Sequence, residues 1–306
     1  MVPWLPYLLF LFGTSSALRV MSFNVWNSGR HVKNGIPKIA AQIRAVNPDV
    51  VALQEVRDAE HIAQITALLG GHWSGSIHCQ LDTAILTRHT IVAGSYAQVD
   101  RGMHVRIQLG RSYRQVSVWS MHLNYQRYGP YLAHNRRVTS EAQIIAGEMP
   151  SMSTSRVHNI VQLLRHPEFI GQVARSEAIP VIVAGDFNVP SDEDWVRANR
   201  AQHGGWAIAW PATRLLRTAA GMRDAFRTLH PSPVDEPGTT WSVYKYLDEW
   251  SGKAVPEPDD RIDFIFYRGY VKPTAAYTFT GSDGARPRHT TSNAWPSDHY
   301  AVVADF

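Results

Sequence analysis

Pro180-Val181-Ile182-Val183-Ala184-Gly185-Asp186-Phe187-Asn188-Val189-Pro190 decides how the chain is read. A run of apolar and small residues ends in Gly185, and an acid, an aromatic ring and an amide follow. An apolar run this short predicts a strand buried on both faces. Residues two apart on extended backbone point the same way, so Asp186 and Asn188 are presented together at the end of that strand. A carboxylate at the edge of a core needs a compensating partner, ordinarily a metal ion or a hydrogen-bond network. The plainer alternative is a strand closed by an Asx turn, so the neighbouring stretches decide.

Working outward, the same pattern returns. Val50-Val51-Ala52-Leu53 predicts a buried strand with Gln54-Glu55 at its end. Residues 18–26 predict a strand holding Asn24, and residues 83–86 a short strand closed by Thr87-Arg88. Residues 116–123 alternate as a strand, with His122 and Asn124 at the far end. Residues 239–243, 262–267 and 301–306 read as further strands, accompanied by Asp260, Asp263 and Ser297-Asp298-His299. Helical spacing links Ile36, Ile39, Ala40 and Ile43, then Ala142, Ile145, Ala146 and Met149. A third helix joins Val157, Ile160, Val161 and Leu164 after the cap candidates Ser153-Thr154-Ser155. Ser191 followed by Asp192, Glu193 and Asp194 predicts a helix start, where acids suit the dipole. Several strands lack an intervening helix, which fits two sheets packed face to face with helices outside.

The 306 residues carry 30 Lys and Arg against 26 Asp and Glu, a formal charge of +4. That balance suits an anionic partner, but no basic run resembles a nucleic-acid tail. No linker or repeat divides the chain, and one domain over 18–306 is expected, acting as a monomer. Residues 1–17 differ from the rest. Residues 4–12 are nearly all apolar, no charge precedes Arg19, and Ser15-Ser16-Ala17 is a small-residue cleavage pattern. This predicts a signal peptide cut after Ala17 and a secreted product. The apolar run is well short of the roughly 20 residues a membrane span needs. Cys79 is the only cysteine, so no intrachain disulfide can form.

Asn24, Glu55, Asp186, Asn188, Asp263 and Asp298 are carboxylates and amides gathered at strand ends. Such hard oxygen donors suit Mg²⁺, with Mn²⁺ or Ca²⁺ as alternatives, better than zinc. No glycine-rich dinucleotide or Walker loop follows a strand, and no Gly-x-Ser-x-Gly elbow occurs.

Taken in order, these pieces resemble the endonuclease/exonuclease/phosphatase superfamily, the deoxyribonuclease I-like fold. The resemblance rests on Met21-Ser22-Phe23-Asn24-Val25, Leu53-Gln54-Glu55-Val56, Ala84-Ile85-Leu86-Thr87-Arg88 and His122-Leu123-Asn124. Gly185-Asp186-Phe187-Asn188, Asp260-Arg261-Ile262-Asp263-Phe264 and Ser297-Asp298-His299 complete it. It implies a four-layer α/β sandwich with two mixed, mainly antiparallel sheets, and divalent-metal-dependent hydrolysis of a phosphoester by water. It further implies Glu55 as principal metal ligand with Asn24 and Asp298 nearby. Asp186 would handle the water, with Asn188 fixing the water or the phosphate. His122 and His299 would bracket the phosphate. Asp263 is favoured over Asp260 as the holder of His299, and the partner of His122 is not placed. Asn124, Tyr125, Arg127 and Tyr128, just past His122, are the expected substrate-binding residues. The expected substrate is a small phosphoester or a lipid or sugar head group. A secreted nuclease acting on DNA or RNA is the alternative, and an inactive binding module on the same fold is the reading from another class.

Overall fold

The computed structural model describes residues 18–78, 80, 82–110, 114–149, 153–243, 256–281 and 295–306. The expected signal peptide and Cys79 lie outside the described residues. In chain order the strands are β1 (Arg19–Asn24), β2 (Val50–Gln54), β3 (Ser74–Ile77), β4 (Thr83–Thr87), β5 (Thr90–Ile91), β6 (Ala97–Val99) and β7 (Gly102–Gln108). They continue with β8 (Gln115–His122), β9 (Val181–Asp186), β10 (Arg223–Asp224), β11 (Asp263–Arg268), β12 (Ala275–Phe279) and β13 (Ala301–Asp305). One sheet runs β12-β13-β1-β2-β4-β3, and the other β10-β11-β9-β8-β7-β5 with β6 on β7. The β1/β2 and β8/β9 pairs are parallel, and the other paired strands are antiparallel.

The two-sided apolar runs follow from burial on both faces. In β9, Ile182 and Ala184 face the other sheet, while Val181 and Val183 face helices. The core between the sheets packs Val20, Val50, Ala52 and Ile85 against Val105, Val118, Ile182 and Ile265. Outside the first sheet, Met21, Phe23 and Leu53 meet Ile39, Ile43, Ile62 and Ile65 of the helices Gly35–Val46 and Ala59–Leu69. Outside the second, Trp119, Val183 and Phe264 meet Ile160, Leu163 and Leu216 of the helices Arg156–Arg165 and Pro211–Ala220. The result is the four-layer sandwich expected. Truncating one large ring of these layers, such as Phe264→Ala, removes about 3–5 kcal/mol of stability. Close approach of β8 and β9 requires glycine at 185, where a Cβ would run into the Met121 carbonyl oxygen.

Three local expectations are corrected. Residues 142–149 form a short helix Glu141–Ile144 followed by a 3₁₀ turn Ile145–Glu148, not one helix. Residues 239–243 are not a strand, since Trp241 makes only an isolated bridge to Asp260. Ser191 does not start a helix. Its hydroxyl accepts from the Glu193 amide at 3.1 Å, while Asp192 pairs with Arg217 at 2.7 Å. Asp194 turns inward to Arg227 and Arg261 at 2.7 and 2.8 Å. Buried ion pairs with distant arginines outweigh the modest gain from a helix dipole.

Candidate active site

Strand alternation brings the polar strand ends together. Asn24 shares the inner face of β1 with Val20, and His122 that of β8 with Val118. Asp186 follows Ile182 and Ala184 on β9, and Asp263 precedes Ile265 and Tyr267 on β11. Register aligns them in a row: His122 lies beside Asp186, and Asp186 opposite Asp263. Across the gap, Glu55 leaves β2 with φ 62°, a conformation rare for a residue with a side chain. The Asn27 amide holds its Oε2 at 2.8 Å.

Two histidines converge on Asp186. His122 sets Nε2 3.6 Å from Asp186 Oδ2, and His299 sets Nε2 3.7 Å from the same oxygen. Each ring is held from behind. His122 Nδ1 is 2.8 Å from Asp82 Oδ2, and His299 Nδ1 is 2.8 Å from Asp263 Oδ2. Burial opposes charge on both rings, but the carboxylates prevail. His122 is raised to about 9, chiefly by Asp82, and His299 well above the ordinary histidine value, chiefly by Asp263. Burial pushes Asp186 up to about 6 against the pull of the nearby histidines. Asp186 also accepts from the Asn188 amide at 2.8 Å and from Asn24 Nδ2 at 2.9 Å. Asn188, at φ 51°, donates Nδ2 to the Leu123 carbonyl at 3.0 Å.

A cavity of about 550 Å³ opens over this cluster, with Glu55, Asp82, His122, Asp186, Asp298 and His299 in its wall. The donor set fits a hard divalent cation. Glu55 and Asp298 are carboxylates on the cavity, and Asp298 Oδ1 is buried without a hydrogen-bond partner. Burial and then the charge of Glu55 hold Asp298 above the ordinary carboxylate range despite His299. A cation held by these two carboxylates would relieve that repulsion on Asp298. Asn24 stands behind rather than beside this opening. It is fully buried, donates Nδ2 to Asp186 at 2.9 Å and Glu55 at 3.3 Å, and accepts from the Trp26 amide. It positions the carboxylates. Asp186, Asp263 and His299 also bring ligand atoms within 4.8 Å of one another. There the His299–Asp263 hydrogen bond at 2.8 Å already occupies Nδ1.

The structure places the four expected substrate-binding residues differently. Tyr125 lines the cavity, but Asn124, Arg127 and Tyr128 do not. Asn124 Oδ1 accepts from the Gln126 amide at 2.8 Å, an Asx turn that consumes its acceptor. The Tyr128 hydroxyl donates to Asp260 at 2.6 Å. Asp260 also accepts from Trp195 Nε1 at 3.1 Å, so Asp263 and not Asp260 holds His299. Sequence reading missed Asp82, Arg57, Arg101 and Trp241, all on the cavity. None sits at the end of an apolar run, the signal that found the others.

The sequence profile described as the Endonuclease/Exonuclease/phosphatase family matches residues 21–299. An uncharacterized protein of Caenorhabditis elegans, F14F9.5, is 42% identical over 300 residues, covering 96% of this chain and 93% of that one. Nocturnin of Mus musculus is 26% identical over 146 residues, 47% of this chain and 28% of that protein. Among solved structures, truncated Caenorhabditis elegans TDP2 superposes with a TM-score of 0.57 at 19% identity, covering 95% of this chain and 97% of that one. The human Nocturnin catalytic domain with bound sulfate anion gives 0.57 at 17% identity, with 94% and 93% covered. The chain belongs to the Endonuclease/Exonuclease/phosphatase family and is a metal-dependent hydrolase of phosphate esters.

Proposed function

We propose that the chain is a secreted phosphoesterase that hydrolyses a small phosphoester, or a lipid or sugar head group, with an activated water. One observation carries the reading. Two imidazoles, each held by its own carboxylate, aim Nε2 at a single oxygen of Asp186 from 3.6 and 3.7 Å. Protonated imidazoles placed this way donate to phosphate oxygens and favour the more charged transition state. Asp186 takes the proton of the attacking water, and Asn188 orients that water or the phosphate. Asp263 and Asp82 fix the tautomer and charge of His299 and His122. Glu55 and Asp298 would hold a divalent ion, with Asn24 positioning Glu55. When bound, that ion supplies charge neutralisation at the phosphate, and Mg²⁺ suits these donors, with Mn²⁺ or Ca²⁺ next. Secretion is supported by the apolar residues 4–12 and the small residues before Leu18.

The small-substrate reading rests on charge. A duplex track needs several cations free for phosphates. Arg57 on the cavity is paired with Glu55 and Asp82 at 3.6 and 3.3 Å. The cavity wall also holds Asp100 beside Arg101 at 3.6 Å. The test compares plasmid DNA, RNA, sphingomyelin, inositol phosphates and an activated aryl phosphodiester, at low and physiological salt, with Mg²⁺ and with EDTA. Small-substrate turnover that stops in EDTA is expected. Plasmid nicking that outpaces every small substrate would replace the reading with a nuclease, and no turnover at all with a binding module.

A further inference from the structure

A smaller cleft of about 110 Å³ lies beside the catalytic cavity, lined by Tyr125, Tyr128, Tyr131, Asn188, Trp241 and Ile262. Tyr125, Asn188 and Trp241 belong to both hollows. The Trp241 ring centroid is 6.4 Å from that of His299. A group in the cleft therefore sits next to whatever His299 and Asn188 hold.

The walls are ring carbon in a fixed arrangement. Tyr128 and Tyr131 meet edge to face at 5.3 Å, and Trp241 meets them at 5.6 and 5.9 Å, with interplanar angles of 80–81°. Both hydroxyls are turned to carboxylates, Tyr128 to Asp260 at 2.6 Å and Tyr131 to Glu257 at 3.1 Å. Those bonds lock the rings and remove their polar ends from the wall. Among the described residues no charged side chain lines the cleft, and Asn188 is the one amide in its wall. A dry cavity of roughly 150 Å³ accommodates benzene, so an open-ended cleft of this size suits a single ring. Aromatic boxes also take organic cations. Here the Arg156 guanidinium already lies 5.9 Å from the Tyr128 ring centroid. A second cation would compete for that ring, whereas a neutral ring would not.

We propose that this cleft binds a neutral, planar, single-ring-sized group of the substrate, next to the phosphate. The proposal rests on the phosphoesterase reading above and adds the kind of substituent the site selects.

Phenylphosphonate and methylphosphonate carry the same anionic group and differ in the ring. Their binding is measured by calorimetry in Mg²⁺, which reads affinity whether or not turnover occurs. Phenylphosphonate is expected to bind on the order of tenfold more tightly. Trp241→Ala and Tyr131→Leu should each bring the ratio toward one. Tyr125→Ala provides a variant at an exposed ring, 46% accessible, should the other two variants fail to fold. Equal affinities in the wild type, or a ratio untouched in every folded variant, would overturn the proposal. Phosphocholine binding more tightly than phenylphosphonate would also overturn it, in favour of an organic cation. Hydrolysis of methyl 4-nitrophenyl phosphate separates the two readings. Metal-dependent hydrolysis without a phenyl preference removes the ring site and leaves the phosphoesterase standing. Neither hydrolysis nor phosphonate binding removes both.

Discussion

Asp82 and His122 stand 40 positions apart and are joined through Oδ2 and Nδ1 at 2.8 Å. His122 is raised to about 9, burial opposing charge and Asp82 supplying the largest compensation. The folded value thus lies above the unfolded one of about 6.5. The stability this contributes is fully present below about pH 6.5 and is lost as pH rises through about 9. Asp82→Asn should lower the His122 titration, read by NMR, and flatten that alkaline loss. Activity should fall roughly 10–100-fold, as for other carboxylates that orient a functional imidazole. An unchanged His122 titration would show that Asp82 does not set its charge.

Asp263 and His299 form the matching pair, and the two should act as a unit. Each single alanine variant should lose most of kcat. The double variant should lose less than the two combined, with a coupling of about 0.5–3 kcal/mol. Strict additivity would contradict the pairing seen at 2.8 Å.

Cation binding should be visible without activity. Anything that binds only the folded state stabilises it, by about 2.7 kcal/mol at a hundred times Kd. Mg²⁺ should raise the Tm of the wild type, and Glu55→Gln should abolish the rise. In EDTA, Asp298→Asn should be at least as stable as the wild type. Its Oδ1 has no hydrogen-bond partner, and the charge of Glu55 bears on it. A Tm rise surviving in both variants would place the ion elsewhere.

The sandwich was legible because its strands are short apolar runs closed by a polar residue, and burial on both faces leaves that signature in β2 and β9. The polar strand ends were legible for the same reason: Asp186, His122 and Asp263 each end or begin such a run. Asp82 left no mark, because it precedes β4 in a loop and reaches a ring 40 positions away. Loop residues that approach through tertiary packing carry no period. The tyrosines after His122 showed as an aromatic cluster, yet which way each ring faces depends on Asp260 and Glu257, far along the chain. Asp194 misled for a related reason. Its neighbours resemble a helix start, but its partners Arg227 and Arg261 appear only in the folded chain.

His104 should make the fold acid-sensitive. It is fully buried on β7, with Nδ1 2.9 Å from the Ser95 carbonyl and Nε2 2.9 Å from Gln172 Nε2. Gln172 gives its amide oxygen to Trp119 Nε1 at 2.7 Å, so its nitrogen faces His104 as a donor. The ring is therefore neutral, donating from Nδ1 and accepting at Nε2. A proton on Nε2 would set donor against donor. Burial lowers His104 to about 4, with Arg106 and His166 adding to the effect and Ser95 and Glu168 opposing it. The folded value lies below the unfolded one, so between about pH 6.5 and 4 the unfolded chain binds the extra proton. Stability is then full above that window and declines as pH falls through it, by an amount on the order of a few kcal/mol. His104→Phe should lower stability at pH 7 by about 1–3 kcal/mol, because Gln172 and Ser95 lose a buried partner. It should also remove the His104 share of the acid dependence. Urea unfolding of both proteins at pH 4, 5, 6 and 7 reads the difference, and parallel pH profiles would show that His104 does not resist protonation in the fold.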